Sequence, residues 1–247
     1  MGWASCLPSK QPFCVHPRAR IAKGKIPCPP CLVLFSFFPC VPYHQSYPNA
    51  FPIAYLNDLR GEIQACPYFA VNNLNRDFIG TKGFSVVFQR AGIPEVERHF
   101  PFFKPYLDRA LQPTCNAFYL NPLLLQSGSR VDPHIDRSLR SYCKTIEPPV
   151  MVSVLYVQVP EPLQGGELVL RNHRQQVGQI KPQVNTLLYF QGDLTHSVNA
   201  VQTTGIRLSL VCEQYSLSDR ELQEIPEFTI ESRAKAESRA KTAKRRN

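Results

Sequence analysis

Asp132-Pro133-His134-Ile135-Asp136 opens the segment that decides the fold of this chain, and Ile206-Arg207-Leu208-Ser209 closes it. Between them lie short apolar runs that predict β-strands over residues 150–159, 167–170, 176–180 and 186–190. Pro and Gly residues separate these runs and predict turns. Several strands at such short intervals favour a mainly β fold with flanking helices, and in particular a double-stranded β-helix, or jelly roll.

The neighbouring segments predict further elements. A strand is expected over residues 116–120, followed by a loop over 121–132 that leads into the first motif. Residues 95–111 carry apolar side chains at helical spacing, which Pro101 and Pro105 must interrupt. Ser218 and Glu221 form a capping-box sequence, which predicts a short helix. The helices before residue 112 are expected to cover one face of the sheet.

His134 and Asp136 form an H-x-D pair, and alternation along an extended chain directs both side chains to one face. His196 is the candidate for a third ligand. Two histidines and one carboxylate, with other coordination positions open, are the set expected of a non-heme Fe(II) oxygenase. An H-x-D alone is weak evidence, and a single histidine is usually just a hydrogen-bonded residue. The prediction therefore depends on the ordered set of motifs.

Arg207 interrupts an otherwise apolar run, and this position needs an explanation. If residues 206–215 form a strand, then Arg207, Ser209 and Val211 share one face. A surface ion pair is the ordinary role of an arginine. A buried anion explains a guanidinium in so apolar a strand better, because arginine binds a carboxylate through two parallel N–H bonds.

In this order of motifs, residues 115–215 resemble the 2-oxoglutarate- and Fe(II)-dependent dioxygenases, and within them the prolyl-4-hydroxylase-like branch. Gly165-Gly166-Glu167-Leu168 is similar to the G-G-x-L turn and strand of that family. The resemblance implies catalytic iron ligands and residues that bind the co-substrate. The implied ligands are His134, Asp136 and His196, and the implied 2-oxoglutarate-binding residues are Arg207, Ser209 and Tyr119. For Tyr119, a core tyrosine with a satisfied hydroxyl is an equally good explanation.

The resemblance also implies a function, namely hydroxylation of peptidyl proline, an amino acid or a small metabolite. Fe(II), 2-oxoglutarate as co-substrate and O2 are the implied cofactors, with ascorbate in a supporting role. Two alternatives remain open. One is a nucleic-acid dealkylating oxygenase, although such enzymes carry a second arginine six residues after the first, where this chain has Glu213. The other is a non-catalytic jelly-roll protein that binds metal or acts as a sensor.

The positive charge of the chain is concentrated at its two ends. Residues 1–57 contain five Lys or Arg and no acidic residue, and residues 231–247 contain seven basic and two acidic residues. We therefore predict a leader over residues 1–52, a dioxygenase domain with an N-terminal helical cover over 53–217, and a basic C-terminal helix or tail over 218–247. Any contact with nucleic acid is expected in the basic tail.

The leader is rich in Pro and shows no lasting periodicity. Its composition is compatible with a plastid or mitochondrial transit segment, with an unstructured leader, and with a secretory signal. The apolar run over residues 31–41 is too short to span a membrane, so no membrane span is expected. The four later cysteines have apolar neighbours and predict buried free thiols in an intracellular, reducing compartment. They are Cys66, Cys115, Cys143 and Cys212.

Overall fold

Two antiparallel β-sheets pack against each other in the computed structural model, which describes residues 42–71 and 77–233. Within these residues the larger sheet has nine strands and the smaller has five. The larger sheet contains, in spatial order, β1 (His44–Tyr47), β11 (Leu187–Gln191), β8 (Met151–Gln158), β13 (Arg207–Tyr215), β6 (Ala117–Leu125), β4 (Lys82–Gly83) and β2 (Ala70–Val71), with β5 (Ser85–Gln89) beside β6 and β14 (Phe228–Glu231) beside β5. The smaller sheet contains β10 (Gln175–Ile180), β9 (Leu168–Asn172), β12 (Thr195–Val198), β7 (Arg130–His134) and β3 (Phe78–Ile79).

The chain passes back and forth between the sheets from β6 to β13. This connectivity is the double-stranded β-helix that the sequence predicts, and the fold class is confirmed. The core between the sheets combines side chains from both, such as Val154 and Phe190 from the larger and Leu168 and Val198 from the smaller.

Three helices cover the outer face of the larger sheet, as expected. They are α1 (Ile53–Ala65), α2 (Ile93–His99) and α3 (Lys104–Ala110). A 3-10 turn over Pro101–Phe103 separates α2 from α3, which is the interruption that the prolines predict. Phe103 and Tyr106 are fully buried in the same apolar cluster as Leu210 of β13. The helices therefore give the larger sheet a second apolar face.

The predicted loop over residues 121–132 is wrong for most of its length. β6 continues to Leu125, and β7 already begins at Arg130. Pro122 lies inside β6, opposite Leu210 of β13. The leucines that follow it are buried on both faces of the sheet, and this burial outweighs the weak strand preference of proline.

The sheet extends beyond both boundaries expected for the central domain. β1 pairs with β11 before residue 53, and β14 pairs with β5 after residue 217. The helix α4 (Asp219–Leu222) has the predicted capping box between Ser218 and Glu221. Most of the predicted leader and the end of the basic tail lie outside the described residues. No helix in residues 42–71 or 77–233 is long and apolar enough to cross a membrane.

The cysteines agree with the expectation of free thiols. Cys115, Cys143 and Cys212 are buried, Cys66 is partly exposed, and all four are free.

Candidate active site

The side chains of β6 and β13, the two longest strands of the larger sheet, alternate between the space between the sheets and the apolar layer under the helices. On β13, Arg207, Ser209, Val211 and Glu213 line a cavity between the sheets, whereas the residues between them pack under the helices. The period-2 alternation of a strand produces this division. The expectation that Arg207, Ser209 and Val211 share a face is thus met.

The three residues predicted as metal ligands lie together at one end of this cavity. His134 ends β7, His196 lies on the adjacent strand β12, and the two are directly opposed in the strand pairing. Nε2 of His134 is 3.2 Å from one carboxylate oxygen of Asp136, and Nε2 of His196 is 3.4 Å from the other. One potential ligand atom from each residue lies within 4.8 Å of the others, which is a suitable spacing for one metal ion.

Backbone carbonyl groups orient both imidazole rings. Nδ1 of His134 lies 2.8 Å from the carbonyl oxygen of Asp132, and Nδ1 of His196 lies 3.2 Å from that of Leu194. A carbonyl can only accept, so each Nδ1 carries the proton and each Nε2 keeps its lone pair. The buried Nε2 of His134 has no hydrogen-bond partner among the described residues. These contacts with backbone carbonyls leave the Nε2 lone pairs free to bind a metal.

The pKa shifts of Asp136 and His196 favour the protonation states of metal ligands, whereas the pKa shift of His134 favours a protonated ring. Burial opposes ionisation of Asp136, but His196 and His134 outweigh it and lower the pKa of this carboxyl. Burial lowers the pKa of His196 despite the nearby carboxylate. Burial also acts to lower the pKa of His134, but the neighbouring Asp136 carboxylate outweighs burial and raises the pKa of this ring. The cluster therefore supplies an ionised carboxylate and a neutral His196, as metal binding requires.

Arg207 lies in the same cavity without a counter-ion. The residue is 3% exposed, and burial lowers the pKa of its guanidinium. Nε and Nη1 have no hydrogen-bond partner, and the described residues place no carboxylate within ion-pair distance of the guanidinium. The guanidinium carbon lies 5.2 Å from the centre of the Tyr156 ring. A buried, unpaired cation is unfavourable, so this arrangement creates a demand for an anionic ligand.

The other two residues predicted to bind the co-substrate also line this cavity. The buried hydroxyl of Ser209 has no partner in the part of the chain that the structure describes. The hydroxyl of Tyr119 accepts a hydrogen bond of 2.6 Å from Ser85. Tyr119 is thus a core residue with a hydrogen-bonded hydroxyl that also lines the cavity, and its role toward the co-substrate stays a prediction.

Tyr156 is a neighbour of Arg207 and Ser209 that the sequence did not reveal. It lies on β8 opposite Ser209, and its fully buried hydroxyl has no partner among the described residues. The guanidinium, the serine hydroxyl and this phenol thus all have buried polar atoms without partners and belong to residues on the adjacent strands β13 and β8. A polar-tipped aromatic residue in an aliphatic strand is the only signal that the sequence offers for it.

Glu213 is the second residue that was missed, and it holds the loop that follows Asp136. The backbone N–H of Ser138 donates to its carboxylate at 3.2 Å, the Ser138 hydroxyl donates at 2.5 Å, and the Tyr215 hydroxyl donates as well. Burial raises the pKa of Glu213 to about 8, and the charge of Asp136 acts in the same direction. Glu213 thus links the strand of Arg207 to the metal-binding loop.

The site consists of two connected spaces. The inner cavity, between the metal cluster and Arg207, has a volume of ≈ 80 Å³ and mostly apolar walls. The outer cavity has a volume of ≈ 470 Å³ and shares Tyr119, His134, Asp136 and Ser138 with the inner one. A small ligand with a carboxylate fits the inner space chemically, and the outer space is in the size range of ligand pockets.

Comparison with known proteins gives a family match within the β-region. Residues 118–212 match the model described as the 2OG-Fe(II) oxygenase superfamily. No curated protein sequence matches the chain.

Several solved structures are similar at low sequence identity. A prolyl-4-hydroxylase from Pseudomonas putida is 15% identical, with a TM-score of 0.49, over 71% of this chain and 94% of that one. A prolyl hydroxylase from Trichoplax adhaerens, solved with a peptide fragment of hypoxia inducible factor, is 14% identical, with a TM-score of 0.48, over 72% and 85%. HygX from Streptomyces hygroscopicus, solved with nickel and 2-oxoglutarate, is 13% identical, with a TM-score of 0.45, over 70% and 83%.

Proposed function

We propose roles for individual residues on the premise that residues 118–212 of this chain belong to the 2OG-Fe(II) oxygenase superfamily. The chain is an Fe(II)- and 2-oxoglutarate-dependent dioxygenase, an oxidoreductase that hydroxylates its substrate. The family supplies the type of reaction. The geometry of the site supports the assignments that follow.

His134, Asp136 and His196 hold Fe(II) in this proposal. The observation that carries it is the pair of imidazoles whose protonated Nδ1 atoms are tied to carbonyl groups while their Nε2 atoms face one carboxylate. Such a set suits Fe(II), since it offers two nitrogen ligands and one oxygen ligand and leaves other positions open. When bound, Fe(II) and 2-oxoglutarate would supply the oxidising chemistry, in which O2, the keto acid and a substrate C–H group yield succinate, carbon dioxide and a hydroxylated product.

Arg207 and Ser209 bind the distal carboxylate of 2-oxoglutarate, and we add Tyr156 to this group. Nε and Nη1 of Arg207 are donors, and the two hydroxyl groups can also donate to a carboxylate. Tyr119 borders the remaining length of the same cavity and can donate its own proton into it, because Ser85 already donates to its oxygen. Apolar neighbours such as Leu123 and Val154 exclude water from the space between these residues and the metal cluster.

The substrate enters through the outer cavity, which opens directly on His134 and Asp136. Peptidyl proline, an amino acid or a small metabolite remain the proposed substrate classes. Ascorbate is expected to support turnover. A non-catalytic metal-binding role predicts the same ligands but no consumption of 2-oxoglutarate, and this difference makes the proposal testable.

The test measures succinate formed by purified protein with Fe(II), ascorbate and 2-oxoglutarate, and in parallel the affinity for Co(II) by absorption spectroscopy. We expect slow succinate formation without added substrate, and we expect His134→Ala to abolish both succinate formation and Co(II) binding. His173→Asn is the matched control, because His173 is an exposed turn residue whose positive φ asparagine accepts. Wild-type rates of succinate formation in His134→Ala would overturn the proposal.

A further inference from the structure

The outer cavity carries two opposite charges that the reaction described above does not use. Its walls include Arg137, which directly follows the metal-binding motif, and Glu231, which ends β14. The two residues come from segments far apart in sequence. They meet at the same opening because β14 adds to the edge of the larger sheet through β5.

The side chain of Arg137 has no hydrogen-bond or ion-pair partner within the described residues. It is exposed, whereas the neighbouring arginines are engaged: Arg130 pairs with Asp132 at 2.9 Å, and Nε of Arg140 donates to the carbonyl of Ile146 at 2.6 Å. The ion pairs of the described residues include none with Arg137. Its guanidinium therefore keeps all its donors available to a molecule in the cavity.

Glu231 is half-buried and is held in place by one hydrogen bond. The Tyr142 hydroxyl donates to Oε1 at 2.5 Å, while Oε2 has no hydrogen bond within residues 42–71 and 77–233. Tyr142 therefore fixes the direction of the carboxylate and leaves one oxygen free to accept. No ion pair within 4.0 Å joins Glu231 to Arg137.

We propose that the outer cavity selects a substrate that carries both an anionic and a cationic group, with Arg137 binding the first and Glu231 the second. Free amino acids and peptides with acidic and basic groups share this chemistry. A guanidinium binds carboxylates directionally, and a preoriented carboxylate accepts from ammonium and amide N–H groups. A pocket with one unpaired charge of each sign discriminates against molecules that lack either partner.

This inference deepens the proposed function and rests on it, because the outer cavity is taken as the substrate site. Its test therefore uses binding, measured by ligand-observed NMR without added iron, so that it is independent of turnover. The first set of probes consists of four leucine derivatives. Leucine carries both charges, leucinamide only the ammonium, N-acetylleucine only the carboxylate, and N-acetylleucinamide neither. The second pair consists of blocked tetrapeptides, acetyl-Glu-Ala-Ala-Lys-amide and acetyl-Gln-Ala-Ala-Gln-amide, which separate a peptide from a free amino acid as the source.

We expect leucine or the charged peptide to bind about tenfold more tightly than the corresponding probe without charges, a difference of about 1.4 kcal/mol. Arg137→Gln should remove the advantage of the carboxylate, and Glu231→Gln should remove that of the ammonium while keeping the acceptor for Tyr142. Arg174→Gln is the control, since Arg174 is an exposed arginine outside both cavities.

Three results would overturn the inference: no binding of either doubly charged probe, equal binding of charged and neutral probes, or unchanged selectivity in Arg137→Gln. The proposed function fails separately, through absence of succinate formation in the wild-type protein. Charge-dependent binding without succinate would therefore sustain the charge assignment and refute the oxygenase activity.

Discussion

Replacing Arg207 with methionine has two effects of opposite sign, and together they test whether the inner cavity is an anion site. Methionine has a flexible, unbranched side chain that is shorter than that of arginine and carries no charge. In the apoprotein the guanidinium is buried and its Nε and Nη1 atoms have no partners, so removing it relieves an uncompensated charge. We expect the free energy of unfolding of the apoprotein to rise by about 1–4 kcal/mol, the range known for replacing buried ionic groups with apolar ones.

Binding of 2-oxoglutarate should change in the other direction. Loss of two charge-assisted hydrogen bonds to a carboxylate removes about 3–5 kcal/mol. This corresponds to a dissociation constant about 10²- to 10⁴-fold higher. Metal affinity should stay within about threefold of wild type, because the ligands His134, Asp136 and His196 are untouched.

The assays are urea unfolding in the presence of EDTA and calorimetric titration of 2-oxoglutarate into the Zn(II)-loaded protein. Arg207→Lys serves as the control, since it keeps the charge but loses the planar fork, and we expect intermediate affinity. Retained affinity for 2-oxoglutarate in Arg207→Met, or loss of metal binding, would refute the assignment. A less stable apoprotein would show that the charge is already compensated without a ligand.

Three other substitutions, one of them paired with a control variant, give sharp expectations. Tyr156→Phe should weaken 2-oxoglutarate binding about tenfold in the same titration, and should leave the apoprotein at least as stable, because its buried hydroxyl has no partner among the described residues. Glu213→Gln should remove a pH dependence of stability. In the folded protein the pKa of the Glu213 carboxyl is about 8, whereas its ordinary pKa is 4.5, so between these pH values the folded protein keeps a proton that the unfolded chain has released. The stability that Glu213 contributes, on the order of a few kcal/mol, is therefore fully present below pH 4.5 and is lost as the pH rises toward 8. The urea midpoints measured in EDTA at pH 5 and at pH 8 should consequently differ less in the variant than in the wild-type protein. Gly165→Ala should destabilise the fold by more than about 2 kcal/mol in urea unfolding, since its φ is +71° and the new Cβ would lie 2.0 Å from the carbonyl oxygen of Ala200. Gly128→Ala, with a φ of +83° but open space around it, should cost only about 1–2 kcal/mol, and equal losses in the two variants would contradict the steric explanation.

Local patterns in the sequence were sufficient for the elements that depend on alternation. The strands β8, β9, β10, β11 and β13 lie where apolar runs and turn residues predict them, and the face shared by Arg207 and Ser209 follows from the strand period alone. The order of H-x-D, strands, histidine and arginine also indicated the family whose model matches residues 118–212. These signals are readable because each depends on residues only a few positions apart, or on a fixed order of motifs.

Other features depend on contacts between distant segments, and the sequence does not encode them in any short pattern. The loop predicted after residue 120 became strand because both faces of β6 are buried by partners from elsewhere in the chain. Nothing near Tyr156 or Glu213 in sequence shows that one borders Arg207 and the other holds Ser138. Glu231 reaches the active-site opening only because a short strand near the end of the chain adds to the sheet edge.

The sequence by itself therefore determined the type of fold and the residues with the chemistry to bind a metal and a carboxylate, since composition and alternation act locally. Only the tertiary structure decided which polar groups are buried without partners and which charges meet at one cavity. Burial and pairing are set by the packing of both sheets together, and a single strand cannot specify them.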